Sequence, residues 1–207
     1  MNEYLDLIQK SKEYIDQGFD TFGRELQTKD QLGGFLVLCT FRAGGLSDAI
    51  VHLCKADFTD ESLPILRSLI ETAVNMRWIM NKDTQKKQER LKQYFANLAE
   101  DKRYGELWTS VNLRDRMKEI GFKGKLEVYY DLVVKFCHDY THGGARTLPH
   151  RRLIPKAPKK TLMSTGAIYA ITSQMLGHIL RALNDHWPGK FDSYKIIWKA
   201  IKNSQLT

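Results

Sequence analysis

Apolar residues recur every three to four positions along almost the whole chain, the spacing that puts them on one side of a helix. The strict alternation of a half-buried strand is not found. A first helix is predicted over residues 2–26, with Tyr4, Leu7, Ile8, Ile15, Phe19 and Phe22 as its apolar stripe. A second, over 31–56, is apolar nearly all round, which predicts a central, buried position. Its glycines, Gly33, Gly34, Gly44 and Gly45, weaken a helix, so their use there suggests close approach of a neighbour. Asp60 or Glu61 opens a third helix running to about residue 80, with Pro64 in its first turn, where proline is tolerated.

An amphipathic helix over 82–108 presents Leu91, Tyr94 and Phe95 to the core. A short helix over 111–120 is stopped by Gly121. Another over 125–141 is stopped by Gly143 and Gly144. The stretch 145–160, with Pro149, Pro155 and Pro158, is irregular. A long helix over 161–186 ends before Pro188, and a last one covers 193–202. No repeat, low-complexity tract or linker divides the chain. The fold class expected is all-α: a single antiparallel helical bundle of about seven or eight helices, without a sheet, over residues 1–207. Its central helices are those over 31–56, 60–80, 125–141 and 161–186.

Bulk composition adds little to that picture, with one exception. Apolar residues are 43% of the chain and charged residues 27%, an ordinary globular balance. The net charge of +8 makes anionic partners plausible and says nothing of fold. Cys39, Cys54 and Cys137 form no close pair, so buried thiols are expected rather than disulfides. The polar, acidic N-terminus does not read as a signal peptide. The apolar stretch 32–46 contains Arg42 and falls short of a membrane span. A cytoplasmic protein without membrane, cofactor or metal is expected.

Polar residues at core-facing spacing are the candidates for chemistry. Arg67, Glu71 and Asn75 recur every four residues and share a face, with Ser68 and Thr72 beside them. They form either a solvated stripe with one Arg–Glu pair or a polar seam in which Arg67 and Glu71 pair. Arg42, Asp48 and His52 stand on the second helix, where Asp48 and His52 are spaced to touch.

His138 and His142 are also four apart. With Asp139 they approximate a zinc-binding HExxH helix. His138 and Asp139, with His52 and Asp185, also approximate the ligand set of HD-type phosphohydrolases. As a third alternative, His138 simply complements a helix C-terminus. The following loop carries Arg146, His150, Arg151, Arg152, Lys156, Lys159 and Lys160, and no acidic residue occurs between Tyr140 and Asn184. That loop is a candidate phosphate-contacting surface or a solvated basic loop.

Three segments carry a resemblance: FRAGGLSDAIVHL, ILRSLIETAVNMRWI and DYTHGGARTLPHRR. Together they resemble a bacterial family of helical domains of unknown function, in which an Arg-x-x-x-Glu helix precedes a Ser/Thr-His step. More distantly they are similar to HEPN helical bundles. That likeness implies a homodimer and, in its catalytic form, a metal-independent endoribonuclease or a nucleotide-acting toxin or defence effector. Arg181 and His186 then match the Arg-to-His spacing of such enzymes, and Thr141-His142 lies in the family-like motif. The implied chemistry has an arginine, Arg67, Arg146 or Arg181, stabilise phosphorane-like charge. A histidine, His142 or His186, moves the proton. The other expectation is a non-catalytic, homodimeric binding or assembly module. In it Arg67 and Glu71 are structural, and Arg42, Arg146, His150, Arg151 and Arg152 offer a basic surface to RNA or another anionic ligand.

Overall fold

The computed structural model describes residues 3–22, 30–80, 83–99, 109–121 and 163–204. Among the described residues there are seven α-helices and no strand: α1 (Glu3–Asp20), α2 (Gln31–Lys55), α3 (Leu63–Ile79), α4 (Thr84–Ala99), α5 (Leu113–Glu119), α6 (Thr165–His186) and α7 (Tyr194–Ser204). The chain is all-α, as its periodicity predicts. The helix expected over 125–141 lies outside the described residues.

Local chemistry accounts for the boundaries. Asp30 caps α2 by accepting the Leu32 amide at 3.1 Å. A 3-10 turn, Asp60–Ser62, leads into α3 with Pro64 in its first turn. Asn112 caps α5, and Gly121 follows it with φ of 75°. The Ser164 hydroxyl accepts the Ala167 amide at 3.2 Å. That cap starts α6 at Thr165, four residues later than the apolar pattern predicts.

α6 is the shared helix, packed against α1, α2, α3 and α7. Long-range contacts fix the directions. Lys12 meets Asp48 and Phe19 stacks on Phe41, so α1 and α2 are antiparallel. Arg77 meets Asp185 at 2.5 Å near the C-terminal ends of α3 and α6, so those two run the same way. α2 runs opposite to both, with Asp30 beside His186 and Thr59 beside Thr165. α1 and α2, and α2 and α3, are thus antiparallel, while α3 and α6 run parallel.

α2 departs from its expected all-round burial. Phe35, Leu36, Ala43 and Ile50 have no exposed surface, but Leu38 is 60% and Phe41 71% exposed. Arg42, Gly45, Asp48 and His52 share that outer side. No described atom lies within 4 Å of a Cβ built at Gly34, Gly44 or Gly45. Close approach is found at Gly33, where a Cβ would lie 2.9 Å from Trp187 Cζ2. By length and composition α2 could cross a membrane, with mean hydropathy 1.4 over its most apolar window, 39% of which is buried.

The Phe191 ring occupies the space where a Gly18 side chain would begin, and Phe191 is 1% exposed. It belongs to an aromatic cluster with Phe19, Phe22 and Trp187 that joins α1 to the end of α6. Gly18→Ala is therefore expected to destabilise the protein by about 1–3 kcal/mol through overpacking. Thermal unfolding of G18A, alone and with F191L, checks this. The double variant should recover part of the loss.

A cationic groove beside two arginine-centred nodes

Arg67, Glu71 and Asn75 lie on one face of α3, all half-buried, as their spacing predicts. The partner of Glu71 comes from elsewhere. α5 places the 4%-exposed Arg116 against this face. Its Nη2 donates to Glu71 Oε1 at 3.3 Å, and its Nη1 donates to Asn75 Oδ1. Burial pushes the Arg116 guanidinium below its ordinary value, and the Glu71 carboxylate opposes that shift. The expected Arg67–Glu71 pair is thus replaced by Arg116–Glu71, because α5 delivers a more deeply buried cation that needs a counter-charge.

A second arginine, Arg90 of α4, meets the C-terminal end of α5 at Glu119. Arg90 stacks 3.8 Å over the Trp78 ring, donates to the Trp78 carbonyl at 2.6 Å, and donates to Glu119 at 2.6 Å. Trp78 Nε1 also donates to Glu119 at 2.6 Å. Burial raises the Glu119 pKa, but the bonds from Arg90 and Trp78 outweigh it and leave the pKa lowered.

The remaining candidates separate. Arg181 and His186 are five residues apart on α6, about 140° around the helix. They serve different faces. His186 Nε2 lies 2.6 Å from Asp30 Oδ2, and the ring packs on Trp187 at 4.5 Å, so it ties α6 to the cap of α2. Arg181 is exposed toward α7. Arg42 is exposed on α2.

Asp48 takes Lys12, not His52. His52 and Asp185 sit near opposite ends of α2, roughly 30 Å apart along its axis, so they do not supply one ligand set. Among the described residues no three His, Cys, Asp or Glu side chains gather. Cys39 and Cys54 are buried, and burial pushes the Cys39 thiol up to about 12. Cys137, His138, Asp139, His142, Arg146, His150, Arg151 and Arg152 lie outside the described residues.

Arg181 opens onto a groove of about 540 Å³ between α6 and α7, lined by Arg181, Tyr194, Lys195, Trp198, Lys199 and Lys202. The sequence pattern places α7 but assigns its side chains no role. The available signal was its basic row at 195, 199 and 202, beside aromatics at 194 and 198. Lys195 meets Asp192 at 3.3 Å. Arg181, Lys199 and Lys202 have no carboxylate within ion-pair distance among the described residues.

Trp198 fixes the floor: its Nε1 donates to the Gly177 carbonyl at 3.2 Å, and its ring meets His178 edge-on at 4.7 Å. Loss of water around His178, with Arg77 and Arg181 nearby, holds its pKa down at about 3 against an ordinary 6.5.

These features define an all-helical bundle with a cationic groove on one edge. Residues 35–104 match the model of a family of unknown function, DUF5677. That match runs from α2 through α4, covering Arg42, Arg67 and Glu71, and agrees with the resemblance to a helical family of unknown function. The chain has no match among curated proteins or solved structures.

Two expectations follow. Glu71→Gln and Arg116→Ala should each lower stability, the latter by about 2 kcal/mol. Their effects should be non-additive in a double-mutant cycle read by urea unfolding, whereas independent losses would mean the pair is not coupled. His178 binds its proton less readily folded than unfolded. Its contribution to stability is complete above about pH 6.5 and falls as pH drops toward 3. Relative to His178→Gln, the native protein should lose up to about 1.4 kcal/mol per pH unit across that window. Parallel profiles for the two proteins would contradict this.

Proposed function

We propose that this chain is a non-catalytic helical binding module whose α6–α7 groove holds an anionic partner. The observation that carries this reading is the set of four cations on one concave edge, three of them without a carboxylate neighbour among the described residues. Maintaining such charges together costs self-repulsion that an anion relieves. The engagement of Glu71 with Arg116 and of His186 with Asp30 supports structural roles for these two.

Binding of inorganic polyphosphate, followed by calorimetry between about 50 and 200 mM salt, tests the reading. The native protein should bind, and more weakly as salt rises. Lys199→Glu/Lys202→Glu should weaken binding at least about tenfold. Lys92→Glu/Lys118→Glu, an equal change in net charge at exposed positions outside the groove, should do much less. Equal losses in both double variants would reduce the effect to net charge and refute a dedicated groove.

A further inference from the structure

The residues of α7 fall into three rows, and their order says what kind of anion fits. Ile197 and Ile201, each 1% exposed, anchor the helix on the bundle. Lys195, Lys199 and Lys202 form a cationic row at i, i+4 and i+7. Tyr194 and Trp198 form an aromatic row alongside it at i and i+4. The lysine row advances about 10 Å along the helix axis, longer than one phosphate group. Arg181 faces it from α6 across the groove.

We propose that this groove is a path for single-stranded nucleic acid, with the phosphate chain along Lys195, Lys199 and Lys202 and a base against Tyr194. The inference rests on the anion-binding reading above and names the partner. Single strands combine the two features the groove offers: a repeating anionic backbone and unstacked bases that pack on aromatic side chains. A duplex keeps its bases in its own stack and offers none to the Tyr194 ring. A flat anionic bilayer meets convex surfaces and does not enter a concave groove. The floor is also prepared in advance. Trp198 is held by the Gly177 carbonyl and the His178 ring, so little ordering is left for the bound state.

The test is fluorescence anisotropy of the full chain with a labelled RNA and a labelled DNA single strand of about 12 nucleotides. A duplex of the same sequence, inorganic polyphosphate and phosphatidylserine vesicles serve as comparisons. Either single strand should bind more tightly than the duplex. Tyr194→Leu should weaken single-strand binding about tenfold and leave polyphosphate binding unchanged, while Tyr194→Phe should retain it. Arg181→Glu and Lys199→Glu/Lys202→Glu should weaken both. Circular dichroism confirms that each variant is folded.

Equal affinity for single strand, duplex and polyphosphate, with no effect of Tyr194→Leu, would overturn the nucleic-acid inference and leave the anion-binding groove standing. Vesicle binding without single-strand binding would overturn it in favour of a membrane surface. No binding to any of these polyanions would remove both readings. Cleavage of the RNA strand would support the nucleic-acid partner and overturn the non-catalytic part of the proposed function.

Discussion

Helix α6 buries side chains on nearly every side, and the other elements are arranged by that demand. From Ile168 to Leu183 its apolar residues meet α1, α2, α3 and α7, and no single neighbour can cover them all. Burial at roughly 25 cal/mol per Å² of apolar surface favours surrounding such a helix over leaving a flank in water. Crowding has a second result. α3 runs parallel to α6, so their like-charged C-terminal dipole ends lie together. The Arg77–Asp185 bridge sits there, its cation placed where those ends favour one.

Charged residues then distribute by burial. α5 is short, and two arginine-centred nodes fasten it to the bundle: Arg116 on Glu71 and Asn75, and Arg90 with Glu119 and Trp78. Arg116 is almost wholly withdrawn from water, so its charge has to be met by an acceptor already on α3. The same economy of partners explains His186. It stands at the end of α6, where Asp30 opens α2, and one contact joins a helix end to a helix cap. Glu71 and His186 are thus taken up by the joints of the fold.

The groove is formed differently. α7 turns back on α6 after Pro188 and Gly189, the latter with φ of 84°. Ile197 and Ile201 press inward, Trp198 forms the floor, and the helical period then places the lysines and Tyr194 at the rim. Arg181 joins them because seven residues separate it from Gln174, which lies on the same side of α6 but deep in the bundle. The polar stripe of α6 runs from the interior to the surface and meets the basic row of α7 where it emerges.

The all-helical class, most helix limits and the shared face of Arg67, Glu71 and Asn75 were legible in the chain itself, because local periodicity and capping chemistry set them. Where periodicity was nearly uniform it misled: α2 is apolar all round, yet Leu38 and Phe41 are outside. Burial depends on which neighbours arrive, and composition does not specify that. Pairing was hidden for the same reason. Glu71 has Arg67 four residues away in sequence but Arg116 against it in space, 45 residues along. The groove needed two helices to meet, so neither the isolated Arg181 nor the lysines of α7 announced it alone. Sequence determined which residues form helices and which sides of them are apolar; only packing decided which charges meet and which remain open to a partner.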